Sequence, residues 1–409
     1  MAPRATAVQR ETSFLLPTMS VLIPPNTTRM RMDSKAPLLI HEVLANEIMA
    51  IIFEEHAKLE WRAPAIDGRV CRLWRQIVLN APRAWTYLKI RCRKGLSLRC
   101  SDLLPWLDRS RTAPLHIRVS KKFLLDDKTN LRTLDELLRR HHRRVASLRL
   151  FDSTASFLDR RDFPCLQHLE VAPRRWQLYV SPPVSWGPMP KLRSLRLGRF
   201  CHGASLDGLA PLKVLILFRG EFTSLSQHSP SLVTLMLESI DLGDAISGSV
   251  DFPSLTYLSL SDMSNLKPHI NAPCLVTYHE NHTGTYQSFS TPAHSLVEYG
   301  LQVIFSYQLD LTEWHNSFPN MSRLSIRAIT HVIISILDSL SIHPHLLPAL
   351  KMISVGDPWE RCATFTKKEQ ETMEDLVRVR SEACHLDVIL YYETEEPFHI
   401  PLFFPSVSH

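Results

Sequence analysis

The sequence predicts an α/β protein in which a small all-helical module precedes an irregular solenoid built on a curved parallel sheet. Three observations carry this. A unit Leu-x-x-Leu-x-Leu recurs nine times between residues 163 and 355. Residues 38–85 instead space their apolar side chains at the helical period. The chain of 409 residues is too long for one small core, which points to two domains or an extended array. The expected division is a tail over 1–37, a helical module over 38–92 and the solenoid over 93–409.

Residues 1–37 carry five basic and two acidic side chains with Ser and Thr, the composition of an organelle transit peptide. Pro17, Pro24 and Pro25 would break the amphipathic helix that such a signal needs. A disordered tail is therefore expected. In "LLIHEVLANEIMAIIFEEHAKLEW" the residues Leu44, Ile48, Ile51 and Ile52, with Phe53 or His56, form one apolar stripe. Glu42, Glu47, Glu54 and Glu55 lie off it. After an entry at Pro64, "RVCRLWRQIVLNAPRAW" places Val70, Leu73, Trp74, Ile77 and Val78 on one helical face and Arg69, Arg72 and Arg75 opposite. Asn80-Ala81-Pro82 closes that helix. Further helices are predicted over 100–111 and 131–148, with a strand at 115–119.

The repeat follows. Its first apolar positions are 166, 192, 212, 232, 255, 275, 296, 321 and 350, so successive units are 20 to 29 residues apart. Proline often stands two residues earlier, as in "FPCLQHLEV" and "MPKLRSLRL". In such a unit a short strand turns its last two apolar residues, such as Leu195 and Leu197, to one side of a sheet. The first, such as Leu192, reaches the same core from the preceding turn. One unit cannot bury this face alone, so neighbours stack.

Two parts of the sequence resemble known families. "LANEIMAIIFEE" and "RVCRLWRQIVLNAPRAW" resemble the two halves of an F-box, in the version common among fungal F-box proteins. The shared residues are Leu44, Glu47, Ile48, Ile52 and Phe53, then Val70, Cys71, Arg72, Trp74, Arg75, Ile77, Pro82 and Trp85. Ala45 stands where proline is usual and Ala84 where leucine is usual. The repeats resemble leucine-rich-repeat domains but lack the Asn or Cys expected three residues after the last leucine, where Phe200, Gly220, Ile240 and Met263 occur. Irregular loops and few long helices are expected. The F-box resemblance implies a three-helix module that docks on the Skp-type adaptor of a cullin-RING ubiquitin ligase, with Leu44, Glu47, Ile48, Ile52, Phe53, Val70, Cys71, Trp74, Ile77 and Pro82 as adaptor-binding residues. Leu44, Ile48, Ile52 and Phe53 would serve both core and interface; Trp74 and Trp85 would lie inside the module.

A solenoid also presents an extended face suited to a protein target. Among its outward strand residues, Arg193, Arg196, Lys213, Thr234 and Tyr257 are the expected target-binding positions. Charge is unevenly placed. Residues 1–160 hold 29 Lys+Arg against 16 Asp+Glu, or +13, and residues 161–409 the remaining 18 against 25, or −7, which sum to the chain's +6. A nucleic-acid binder using the basic N-terminal third is a secondary reading, because no zinc-finger spacing or basic-aromatic motif accompanies that charge.

Catalysis, metals and cofactors are not expected. There is no Gly-rich phosphate loop and no Gly-x-Ser-x-Gly elbow, and 12 glycines leave few backbone cradles for phosphate. "HENH" (279–282) and "HPH" (343–345) read as loop histidines without a third ligand, and "RRHHRR" (139–144) as a solvated helix end. The scattered eight cysteines indicate a reducing compartment, cytoplasm or nucleus, where the Asn-x-Ser/Thr matches at Asn26, Asn281 and Asn320 are chance. The longest apolar run, "VIISIL", is far below the roughly 18 residues of a membrane span. The sequence thus reads as the substrate receptor of a ubiquitin ligase, with a solenoid scaffold that recruits no ligase as the other reading.

Overall fold

Most repeats open on a tight turn that a proline prepares. The Leu166 N–H donates to the Phe163 carbonyl at 3.1 Å, and the same bond joins Leu192 to Met189, Leu255 to Phe252, Leu275 to Ala272 and Met321 to Phe318. These are β-turns with proline at the second position, where the ring pre-sets the required φ. Both ends of the turn are apolar and buried, as in Phe163 and Leu166 or Phe318 and Met321. The working unit is therefore apolar-Pro-x-Leu-x-x-Leu-x-Leu, one buried residue longer than the sequence reading.

The computed structural model describes residues 44–90, 100–120, 128–151, 157–158, 161–172, 186–198, 206, 209–221, 225, 227–241, 249–282, 289, 292–303, 311–343, 345–356, 367–384 and 389–392. The predicted tail over 1–37 lies outside them. Strands β1 (Tyr87–Ile90), β2 (Leu115–Val119), β3 (Val145–Phe151), β4 (His168–Ala172), β5 (Ser194–Leu197), β6 (Val214–Glu221) and β7 (Thr234–Asp241) follow one another in the sheet. After the short β8 (Val250–Asp251), they continue as β9 (Tyr257–Ser261), then past β10 (Ile270–Asn271) to β11 (Thr277–His282), β12 (Glu298–Val303), β13 (Arg323–Arg327), β14 (Met352–Gly356) and β15 (Ile389–Tyr392). Thirteen of these strands form one sheet in chain order, every pair parallel, while β8 and β10 pair separately. Parallel neighbours joined one turn at a time make a solenoid.

The described helices are α1 (Asn46–Leu59), α2 (Ala63–Asp67), α3 (Arg72–Leu79), α4 (Cys100–Arg109), α5 (Lys128–His141), α6 (Leu311–Ser317), α7 (Thr330–Ile342) and α8 (Lys367–Cys384). From α4 onward they lie on connections near the two ends of the sheet, before β4 and after β12, as the irregular repeats led one to expect. "VIISIL" belongs to α7, whose Val332, Ile333, Ile336 and Leu337 are buried in the repeat core.

Two expectations shift here. β1 is the first strand of the sheet, although it falls within the span assigned to the helical module. The helix expected over 131–148 ends at His141, and Val145 begins β3. In "VASLRLF" the inward residues Leu148 and Leu150 are buried while Ser147 and Arg149 alternate outward, a period of 2 that the helical reading passed over.

Backbone hydrogen bonds lock the turns in register. The N–H groups of Arg193 and Ser194 both donate to the Gln167 carbonyl, those of Lys213 and Val214 to the Arg193 carbonyl, and those of Val233 and Thr234 to the Lys213 carbonyl. The pattern runs on to Lys351 and Met352 on Ser322. Side chains just before the first leucine add a second ladder: Ser254 Oγ donates to the Pro230 carbonyl, Ser295 Oγ to that of Pro273, and Asn320 Nδ2 to that of His294. Together they satisfy main-chain groups that the sheet itself does not reach.

Candidate functional site

The helical module builds its core from one face of α1. Met49, Phe53 and Ala57, four residues apart, are buried. Phe53 meets the Trp74 ring of α3 at 5.1 Å. Cys71 caps α3, its Sγ accepting the Trp74 N–H at 3.4 Å, and Arg75 Nε donates to the Gly68 carbonyl at 2.8 Å. His56 Nδ1 lies 3.2 Å from the buried Asp67 carboxylate. Trp85, fully buried, donates its Nε1 proton to the Val78 carbonyl at 2.8 Å and packs edge-on against Trp106 of α4 at 5.3 Å.

The opposite face of α1 is exposed and carries large apolar side chains around the Glu55–Lys58 pair. Ile48 is 46% exposed, Ile51 53%, Ile52 44% and Leu59 88%; at 100° per residue these four share one stripe. Ile66, Val70 and Leu79 of the same module are exposed as well. Large apolar side chains so concentrated mark a surface that associates with something. Of the residues assigned to the adaptor, Phe53 and Ile77 are buried, Leu44, Cys71, Trp74 and Pro82 half-buried, and Glu47, Ile48, Ile52 and Val70 exposed. The expected double role for Ile48 and Ile52 as core and interface is corrected: the core side of the helix turns on Met49, Phe53 and Ala57, and the isoleucine stripe faces out. Val70 precedes α3 instead of sharing its face. Trp74 and Trp85 pack within the module, as read from the sequence.

The sheet has one apolar and one polar face. Leu192, Leu195 and Leu197 and their equivalents in each unit are buried, which is the geometry the repeat predicts. Of the target-binding positions, Arg196, Thr234 and Tyr257 stand half-buried on the polar face, and Arg193 and Lys213 are exposed just before their strands. Burial first, then Glu298, raises the Tyr257 pKa to about 12.

The register aligns the polar face into rows. One runs Lys89, Arg118, Arg149, Glu170, Arg196, Ile216, Met236, Ser259, His279 and Gly300. Glu170 Oε2 is 3.0 Å from Arg149 Nε and its Oε1 3.8 Å from Arg196 Nε. Burial lowers the Arg149 pKa, as do Arg118 and Arg196, against the pull of Glu170. Lys89, Arg118 and Arg149 were missed as site residues because the repeat was counted only from residue 163. Their signal is a charged residue between two apolar ones in "LKI", "IRV", "LRL", "LEV" and "LRL", at 88–90, 117–119, 148–150, 169–171 and 195–197.

In the adjacent row His116 stacks on Tyr87, centroids 4.6 Å apart and planes 9° from parallel. Burial first, then His168 and Lys58, lowers the His116 pKa to about 4 from its ordinary 6.5. The unfolded chain takes a proton there near pH 6.5, whereas the folded chain resists until about pH 4, so stability decreases as pH falls through that window. His116→Phe, which keeps the stack, is expected to remove about 2–3 kcal/mol of acid-induced loss between pH 7 and pH 4. Urea midpoints measured across that range check it.

Two further expectations are corrected. His279 and His282 lie on strand β11, not in a loop; the His279 ring occupies the space over Gly300, where a Cβ would fall 2.1 Å from its Nδ1. Arg144 is not part of a solvated helix end: it donates to the carbonyls of Ser110 and Ala113 and to Ser110 Oγ. Its neighbours Arg139 and Arg140 pair with Glu136. The unit at 272–280 departs from the leucine pattern in its own sequence, since its last core position is Glu280. Its carboxylate is buried against the Lys267 ammonium, itself fully buried, and accepts the Tyr278 hydroxyl at 2.5 Å.

Among the described residues no three His, Cys, Asp or Glu side chains gather as metal ligands, and no helix is long and apolar enough to cross a membrane. The fold and the two surfaces define a parallel-sheet repeat solenoid with a helical module at the start of the sheet. No family model and no curated protein matches the chain.

Proposed function

We propose that this protein is a substrate receptor of a Skp-cullin-F-box type ubiquitin ligase, acting in the cytoplasm or nucleus. The helical module docks on the Skp-type adaptor, and the polar face of the sheet captures a protein target. The receptor contributes no chemistry of its own. It raises the effective concentration of target lysines near a conjugating enzyme that the cullin recruits. The observation that carries this reading is the apolar stripe Ile48, Ile51, Ile52 and Leu59, exposed on a helix whose other face is fully packed. Exposed apolar side chains grouped on one helix face are what a protein interface buries, and the Glu55–Lys58 pair on the same face adds a polar contact among them.

Co-expression of the full chain with a Skp-type adaptor tests it. The adaptor is expected to co-purify, and Ile48→Glu with Ile52→Glu to weaken retention by about a hundredfold. Both side chains are exposed, so the thermal midpoint of that variant should stay near the parent's. An adaptor that never co-purifies, or that the double variant holds equally well, overturns the reading and leaves a solenoid scaffold that recruits no ligase.

A further inference from the structure

The polar face is not uniform along the sheet, and the change from one part to the next has a chemistry. From β1 to β5 one register row presents four cations, Lys89, Arg118, Arg149 and Arg196, with the single carboxylate of Glu170 among them. The next two positions in the same row are Ile216 and Met236. Between the two zones Arg196 lies over the Phe218 ring, 5.2 Å from its centroid. Neighbouring strands are about 4.8 Å apart, so the four steps from Lys89 to Arg196 cover about 19 Å. An extended peptide of about six residues spans that distance.

We propose that this row is a docking track for an extended acidic peptide segment of the captured protein, whose carboxylates meet the arginines of β2 to β5 and whose adjoining apolar side chain rests on the half-buried Ile216 and Phe218. The inference rests on the proposed function and names the class of target. Glu170 already shows the pairing: one carboxylate lies between Arg149 and Arg196, and each guanidinium has five N–H donors to share. The row carries three cations more than carboxylates over β1 to β5, an excess that a segment of opposite sign neutralises and that speeds its encounter. Arg118 is exposed and Arg149 and Arg196 are half-buried, so the donors reach a ligand while their stems pack on the sheet. Single-stranded nucleic acid fits less well, because it needs aromatic platforms between the cations and none stands in the row from Lys89 to Arg196.

Fluorescence anisotropy on the full chain, without adaptor, tests the track. The probe is a labelled peptide of Glu and Asp ending in Leu-Phe. The expected result is binding that weakens steeply with salt and is lost when Gln and Asn replace the acids. Arg118→Gln and Arg149→Gln should each weaken it by about tenfold, and Ile216→Asp should weaken only the peptide that carries Leu-Phe. The exposed Arg118 makes its variant the one least able to disturb folding. Equal affinities across these variants, or tighter binding of a labelled oligo-dT than of the peptide, overturn the proposal. Loss of peptide binding in a chain that still retains the adaptor defeats this inference alone; peptide binding by a chain that fails to retain a co-expressed adaptor defeats the proposed function alone.

Discussion

Lys267→Met is expected to destabilise the protein by about 3–5 kcal/mol, the cost of leaving one member of a buried ion pair uncompensated. Lys267 sits on the turn of 3-10 helix over Ser264–His269, and Glu280 on β11, both within the repeat core. The equivalent of Glu280 is Leu237 in the unit at 229–237, Leu260 in that at 252–260 and Leu301 in that at 293–301. Combining Lys267→Met with Glu280→Leu therefore restores the residue type that the repeat normally buries there. The double variant should regain most of the loss, because replacing a buried pair by packed apolar groups is often neutral or better. Denaturant midpoints of the two single variants and the double one measure this. A double variant that remains well below the parent would show that the pair contributes net stability, and fully additive losses would show that the two side chains do not interact.

Trp85→Ala should cost a similar amount, about 3–5 kcal/mol, for a buried aromatic removed with little room for collapse. This indole links the helical module to the first helix of the solenoid. Its Nε1 proton reaches the Val78 carbonyl at the end of α3, its ring meets Trp106, and the Arg109 guanidinium lies 4.4 Å from its centroid. Trp85→Phe keeps most of the ring contact and leaves the Val78 carbonyl without this donor, so a loss nearer 1 kcal/mol is expected. If alanine and phenylalanine cost the same, the hydrogen bond outweighs the packing. Near-UV circular dichroism followed through unfolding separates the two.

The solenoid was legible because its signal is periodic and repeated. Leu192, Leu195 and Leu197 say little alone; nine such triplets at similar spacing fix strand, turn and core side together. β1 and β3 were harder because each stands beside helical text. "YLKI" follows the Trp85 turn, and "VASLRLF" continues the heptad-like leucines of α5. Alternation over four or five residues loses to such a neighbour until its strand partners are known. In the helical module the isoleucines and Phe53 were read as one stripe, Met49 and Ala57 of the core were not named, and the division between core and surface was not legible. Ile48, Ile51, Ile52 and Phe53 fit one broad stripe on a lone helix, and only packing against Trp74 decides that Phe53 goes in and the isoleucines stay out. The basic row leaves only a three-residue signal in each strand, a charge between two apolar residues, and Lys89 and Arg196, 107 residues apart in the chain, are brought into one row only by the register.

The shared carbonyls at Gln167, Arg193, Lys213 and their successors also bear on how such a chain changes over generations. Each turn offers its successor the same acceptor and meets its predecessor with the same two donors. Gene duplication or unequal recombination that adds or removes one entire unit leaves every remaining junction chemically identical. A cut inside a unit strands a donor pair, and where it adds or removes an odd number of strand residues it inverts the sides of that strand. Variation in length should therefore come in whole units, with recombination breakpoints falling at equivalent positions of the turn.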